Sequence, residues 1–203
     1  GIYPVYAGYQ THPKDLPFSI DSFALDEEIE FIRKAAQSGQ IAAIGECGLD
    51  AHWLDNKSLE TQEKVFRQLL DIARENLLPI IIHTRKCEEM VISILLETSY
   101  PKVNFHCWGG KTRLAIRVAE ENQWFFSIPS NSSRNQAFQK LLQKLPQTCI
   151  LTETDAPFLA ATSGNRSEPH HVRATVEHLA DLRGWTVAKA RDVVWANYQR
   201  LFG

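Results

Sequence analysis

The chain lacks long apolar runs and any excess of positive charge. Its apolar stretches are far shorter than the roughly 20 residues that span a bilayer, and no signal-peptide pattern opens it, so we expect no membrane segment. The formal net charge of −2 excludes a broad basic surface for non-specific binding to nucleic acid. A nucleic-acid substrate is still compatible with this charge if a metal ion and a few arginines supply positive charge locally.

The chain also lacks paired cysteines, linkers and repeats. None of its four cysteines forms a Cys-x-x-Cys pair, which favours buried, reduced thiols in a cytoplasmic protein: Cys47, Cys87, Cys107 and Cys149. No low-complexity tract or repeat of 20–50 residues divides the 203 residues. We therefore predict one domain that spans residues 1–203.

Short apolar runs alternate with helical patterns along the chain. Five runs are typical of buried strands: Ile41–Gly45, Pro79–Ile82, Val103–Phe105, Trp124–Ser127 and Cys149–Glu153. The apolar segment Gly1–Val5 is a candidate sixth strand. Such alternation predicts a parallel sheet with helices outside it, as in an α/β protein.

The number of strands indicates an incomplete barrel. A TIM-type (β/α)₈ barrel has eight strands and typically about 250 residues. The chain is shorter by about two β-α units and begins abruptly on an apolar segment. We therefore expect a barrel of about six β-α units with the first two missing, either as a fragment or as a genuinely shortened barrel.

Metal-ligand-type side chains follow four of the predicted strands: Glu46, His83, His106 and Asp155. The carboxyl ends of parallel strands converge on one rim of a sheet or barrel, so these side chains are expected to meet there. A single histidine at a strand end is more often a packing residue. Two carboxylates and two imidazoles in equivalent places instead predict a divalent-metal hydrolase.

Several segments, in order along the chain, resemble the TatD family of metal-dependent deoxyribonucleases. They are Gly45–Asp50, Ile82–Arg85, Phe105–Gly110, Glu153–Pro157, Arg166–Pro169 and the terminal Ala196–Asn197 with Leu201–Gly203. The resemblance covers essentially the whole chain. It implies a TIM-barrel fold and the use of one or two divalent ions to cleave phosphodiester bonds in DNA, often from a 3′ end.

The sequence departs from the family pattern near its start. The family usually opens with a His-x-His pair that helps to hold the more buried metal, and this chain has no counterpart. Tyr3 and Val5 stand where the family commonly has histidines. The remaining ligands favour one ion held by Glu46, His83 and His106. If two ions bind, the resemblance implies that Glu46 bridges them and that Asp155 binds the second.

The predicted catalytic residues are Glu46, as a metal ligand, and Asp155. Asp155 is a candidate general base for the attacking water, and the alternative is that it caps the turn before Pro157. Arg85 lies two residues after His83, where its guanidinium can bind a phosphate oxygen. The alternative for Arg85 is a structural ion pair.

Other predicted substrate contacts come from loops. Arg166 and Glu168 lie on a loop that we expect to cross the rim, where Glu168 either orients a ligand or caps the following helix. Trp53 and Trp108 are candidates for stacking on bases of a single strand, and they are equally well explained as core or loop anchors.

The sequence therefore predicts a 3′-5′ exodeoxyribonuclease that acts on single-stranded DNA with Mg²⁺, Mn²⁺ or Zn²⁺. One alternative keeps the metal and changes the bond to an ester or amide, such as an aminoacyl-tRNA linkage. Another is a catalytically impaired, truncated barrel that acts as a binding module.

Overall fold

A computed structural model describes residues 1–8, 24–52 and 56–203, so Trp53 lies outside the described residues. The strands are β1 (Ile44–Asp50), β2 (Ile80–Arg85), β3 (Val103–His106), β4 (Phe125–Ile128) and β5 (Ile150–Thr152). The helices are α1 (Pro4–Gly8), α2 (Leu25–Gln37), α3 (Asn56–Glu75), α4 (Glu88–Thr98), α5 (Thr112–Asn122), α6 (Gln136–Lys144), α7 (Val172–Arg183) and α8 (Val187–Phe202). Within this part of the chain, no helix is long and apolar enough to cross a membrane.

The strands form one sheet in the order β1-β2-β3-β4-β5. The pairs β1–β2, β3–β4 and β4–β5 are parallel. Parallel neighbours need a crossover connection, and helices α3 to α6 provide it between successive strands. The predicted α/β class with alternating strands and helices is therefore confirmed.

Two predicted strand positions are wrong. The segment Gly1–Val5 does not form a sixth strand, because Pro4 begins the short helix α1. Proline suits the first turn of a helix, where its missing N–H is not needed. Strand β1 begins at Ile44 instead of Ile41, so Glu46 lies within the strand and Asp50 ends it.

The chain forms two compact units, Gly1–Val103 and Asn104–Gly203. In the first unit, α3 packs against β1 and α1. Its buried side chains recur at helical spacing and include Phe66, Leu69, Leu70 and Ala73. This spacing gives α3 one continuous apolar face, and its burial supports the strands that carry the candidate site.

The second unit has an aromatic core. The rings of Phe105 and Phe126 stack with centroids 5.1 Å apart. Trp108 contacts both rings edge-on, at 5.2 Å from Phe105 and 5.5 Å from Phe126. Such edge-to-face pairs add to the hydrophobic gain from burying the rings. The core therefore holds β3 and β4 together at the end where His106 lies.

Asn197 connects helix α8 to the strand layer of the second unit. Its side-chain amide donates to the carbonyl oxygens of Gln147 and Ile150, both at 2.7 Å.

We expect Asn197→Ala to lower the free energy of unfolding by about 1–3 kcal/mol, because buried carbonyls lose a donor. Urea denaturation measures this change. Asn122→Ala removes a single bond to Val118 at a helix end and is the matched control, expected to cost less than Asn197→Ala.

Candidate metal centre

Glu46 and His83 lie on adjacent parallel strands. Glu46 is in β1 and His83 is in β2, and Nδ1 of His83 lies 3.7 Å from Oε2 of Glu46. Residues 81, 83 and 85 share one face of β2, because side chains alternate along a strand. The imidazole therefore points to the same side of the strand as Arg85, while Ile80 and Ile82 face the buried opposite side.

Asp50 binds the other nitrogen of His83. Its Oδ2 lies 2.9 Å from Nε2, and the side chain is 0% exposed. Burial raises the pKa of the Asp50 carboxyl, but hydrogen bonds from His83 and from the backbone N–H of His52 outweigh it and hold the pKa below its ordinary value. The ionised carboxylate accepts the Nε2 proton, so the hydrogen-bond network assigns the lone pair to Nδ1, the nitrogen nearer Glu46.

The end of β1 is held in place by its neighbours. The buried Gln62 side chain accepts from the Asp50 N–H at 2.7 Å and donates to the Asp50 carbonyl at 3.0 Å. Gly48 pairs with His83 across the two strands. A Cβ at position 48 would lie 2.1 Å from the His83 carbonyl oxygen, so only glycine permits this approach of the backbones. These contacts position the Asp50–His83 pair.

Glu153 has the corresponding role for His106 in the second unit. Its Oε1 lies 3.4 Å from Nδ1 of His106 and accepts the backbone N–H of Cys107 at 2.8 Å. Its other oxygen accepts a short hydrogen bond from the Ser127 hydroxyl, which in turn accepts from Asn104 at 3.0 Å. Since Nδ1 faces the carboxylate, Nε2 of His106 is the nitrogen that can bind a ligand.

Three of the four predicted ligands come together. Ligand-type atoms of Glu46, His83 and His106 all lie within 4.8 Å of one another. Metal–nitrogen and metal–oxygen bonds are about 2.0–2.2 Å long, so atoms this close together are candidates to share one ion. Among the described residues, Asp155 does not belong to this cluster.

Asp155 lies beyond the end of β5, and Arg85 is the last residue of β2. Asp155 follows β5 by three residues and has a left-handed backbone with φ of 50°. Its carbonyl accepts the N–H of Phe158 at 2.8 Å, which closes a turn. Arg85 ends β2 with an exposed side chain, and its positive charge acts on Asp50.

The loop and tryptophan predictions have different outcomes. Arg166 is exposed. Glu168 caps the 3₁₀ turn Pro169–His171, which agrees with the capping alternative, and its N–H donates to Nδ1 of His171 at 3.1 Å. Trp108 is only 1% exposed and packs in the aromatic core. Since a buried ring offers no free face to a base, the burial favours the alternative that Trp108 is a core anchor.

Asp50, Glu153 and Tyr3 contact the two histidines, although none of them is among the predicted site residues. The predicted strand Ile41–Gly45 ends before Asp50, whereas the observed strand β1 continues to it. The Tyr3 hydroxyl donates to Asp50 at 3.4 Å and lies 3.5 Å from Nε2 of His83. Burial, assisted by the Asp50 and Glu46 charges, raises the pKa of Tyr3 well above its ordinary range, so the phenol stays protonated. The sequence does contain a signal for the two acidic partners. Asp50 lies four residues after Glu46, and Glu153 lies two residues before Asp155.

A parallel α/β sheet with imidazoles and carboxylates at its strands has the organisation of metal-dependent hydrolases. A crystal structure of YjjV, a TatD homologue from Escherichia coli K12, has the same fold, with a TM-score of 0.77 over 87% of this chain and 70% of that chain at 23% identity. The predicted barrel-type fold, present in part with five parallel strands among the described residues, is therefore confirmed.

Sequence comparison identifies the family. The family described as TatD related DNase matches residues 1–203, and the chain belongs to it. The chain is 32% identical to the uncharacterized metal-dependent hydrolase YabD of Bacillus subtilis, over 98% of this chain and 77% of that protein. It is also 32% identical to the 3′-5′ ssDNA/RNA exonuclease TatD of Erwinia tasmaniensis, over 84% of this chain and 70% of that protein.

Asp50→Asn tests whether the carboxylate positions His83 as a ligand. We expect the affinity for Mn²⁺ to fall about 10- to 100-fold, the usual effect of removing a carboxylate that orients a ligating histidine. Isothermal titration calorimetry with Mn²⁺ measures this. Asp71→Asn, on the exposed face of α3, is the control and should bind Mn²⁺ like the wild type. Unchanged affinity in Asp50→Asn would refute the role given to Asp50.

Proposed function

We propose that the chain is a divalent-metal-dependent phosphodiesterase acting on DNA, with Glu46, His83 and His106 holding the ion. The observation that carries the proposal is the approach of their ligand atoms to within 4.8 Å. The match to the TatD related DNase family over the whole chain supports the same reaction class. The first observation is a set of distances in the structure, and the second is a similarity in sequence.

The donor set fits a divalent cation. A carboxylate and two imidazoles suit Zn²⁺ or Mn²⁺, and they accept Mg²⁺ if water completes its shell. Each imidazole faces a carboxylate through its second nitrogen, His83 through Asp50 and His106 through Glu153. Ligating histidines in metalloproteins are oriented by such carboxylates. One ion is the simplest occupancy, and a second ion would involve Asp155.

The chemistry follows from the charge of the substrate. A bound divalent ion lowers the pKa of a water molecule and neutralises charge on a phosphate oxygen. In our proposal the Asp155 carboxylate accepts the proton of the attacking water. Among the described residues, no hydrogen bond or ion pair engages its side chain, which supports its availability for this task. Arg85 and Arg166, both exposed, bind the non-bridging phosphate oxygens.

The proposed substrate is the 3′ end of single-stranded DNA. The names of TatD relatives support this choice, since the Erwinia tasmaniensis protein is a 3′-5′ ssDNA/RNA exonuclease. The negative net charge also favours recognition through a local site instead of a broad basic surface. We further propose that the protein works in the cytoplasm, where the four free cysteines stay reduced.

Removal of the metal should abolish cleavage. We expect purified protein to release nucleotides from a 3′-labelled single strand with added Mg²⁺, Mn²⁺ or Zn²⁺, and excess EDTA to stop this release. Gel analysis of the labelled products measures both effects. A His83→Ala variant should stay inactive in every metal. Wild-type protein that is inactive on DNA with all three ions, but hydrolyses an ester or amide substrate, would replace the nuclease proposal with the alternative bond.

Asp155→Asn tests the proton acceptor. We expect kcat to fall about 10²- to 10⁴-fold, the range of general acid–base catalysis, with the affinity for the first Mn²⁺ nearly unchanged. Steady-state kinetics and calorimetry measure the two quantities. Asp192→Asn, exposed on α8, is the control and should keep wild-type kinetics. If Asp155→Asn instead loses one bound Mn²⁺ per chain, Asp155 is a ligand of a second ion and not the base.

A further inference from the structure

Phe158 presents a large apolar ring to solvent close to Asp155. Its side chain is 69% exposed and lies three residues after Asp155. Burying a phenylalanine side chain is worth about 1.5–3 kcal/mol relative to leaving it in water. Leu151 and Ala160, on either side of Phe158 in the sequence, are buried, so other apolar side chains of this segment are shielded from water. The Phe158 ring is therefore accessible to a ligand.

The backbone on both sides of Phe158 is held by hydrogen bonds. The Phe158 N–H donates to the Asp155 carbonyl at 2.8 Å, and the Pro157 carbonyl accepts from the Ser167 N–H at 2.9 Å. The Leu159 carbonyl accepts from the hydroxyl of Ser130 at 2.9 Å. Ser130 and Ser167 are themselves buried. The ring thus projects from a backbone whose position is set from two directions.

Arg134 secures the next part of the same loop. Its guanidinium donates to the carbonyls of Ala160 at 2.6 Å and Ala161 at 2.9 Å. Ser167 also donates from its hydroxyl to the Thr154 carbonyl at 3.1 Å. An aromatic ring on a backbone that is already ordered loses little conformational entropy when it binds a ligand. These hydrogen bonds hold the backbone that carries the exposed Phe158 ring.

The segments around Phe158 carry one exposed cation, Arg166, as well as the carboxylates of Asp155 and Glu168. Arg166 immediately precedes Ser167, the residue whose N–H binds Pro157, and its side chain is exposed. Sites for single-stranded nucleic acid combine aromatic rings for the bases with cations for the phosphates. Phe31 provides a contrast, because it is 66% exposed but shares a surface with three carboxylates, Asp26, Glu27 and Glu30, and a single cation, Lys34. Those carboxylates would repel a phosphate chain.

We infer that Phe158 stacks on a nucleobase of the strand that is cleaved, with Arg166 on an adjacent phosphate. The inference rests on the proposed function and adds to it a contact with the base. Stacking tolerates every base, because each has a π-face. It would favour single strands over duplex, since a paired base has no free face to offer.

Two substrates and two variants test this inference. The substrates are a single-stranded oligonucleotide and an oligomer of the same length made only of abasic tetrahydrofuran nucleotides. We expect Phe158→Ala to raise KM for the oligonucleotide about 5- to 100-fold, the range for loss of a base-stacking ring. The abasic oligomer should be cleaved equally by Phe158→Ala and wild type. Phe158→Trp keeps an aromatic ring at this position, so its KM should stay close to that of the wild type.

Phe31→Ala is the matched control, because it removes the same ring at nearly equal exposure. It should leave KM for both substrates unchanged. Fluorescence anisotropy of the labelled oligonucleotide in EDTA gives a second readout that does not depend on turnover, and Phe158→Ala should weaken binding there too. Wild-type cleavage of DNA with no effect of Phe158→Ala, or an equal effect on both oligomers, overturns the stacking inference alone. Wild-type protein that cleaves neither oligomer and does not bind DNA overturns the proposed function as well.

Discussion

The pairing of each candidate metal-binding imidazole with a carboxylate is the constraint on which the rest of the site depends. Asp50 faces Nε2 of His83, and Glu153 faces Nδ1 of His106. An unpaired imidazole can carry its proton on either nitrogen, and only one of these tautomers offers its lone pair to a ligand. The carboxylates select the tautomer and hold the ring, and the buried surroundings strengthen both interactions.

Several neighbouring groups form hydrogen bonds with the two acidic residues, Asp50 and Glu153. The Gln62 side chain binds both the N–H and the carbonyl oxygen of Asp50, and the Tyr3 hydroxyl donates to the Asp50 carboxylate. Ser127 and the Cys107 N–H bind Glu153. A buried carboxylate that lacked such donors would be costly to keep ionised. The hydrogen bonds thus stabilise the charges that the imidazoles need, and they explain why polar side chains lie in an otherwise apolar interior.

Particular residues show how far sequence reasoning reached. Glu46, His83 and His106 were identified because each follows or ends a short apolar run, and their ligand atoms do lie together. Asp50 was not identified as a partner of His83, because the predicted strand Ile41–Gly45 ended before Glu46. The parallel register that pairs Gly48 with His83 is a contact between distant segments, and no local pattern encodes it. Trp108 was ambiguous for a related reason, since a strand-end aromatic has the same local sequence whether its ring is buried or exposed.

The sequence by itself determined the class of the fold, the family and the residue types available for binding a cation. These follow from local periodicity and from motif spacing, which each segment carries independently of the others. Only the tertiary structure decided which nitrogen of each histidine faces a carboxylate, which acid supplies that carboxylate, and which aromatic ring faces solvent. Those properties depend on distances between segments far apart in the chain, such as 2.9 Å between Asp50 and His83, and packing sets such distances.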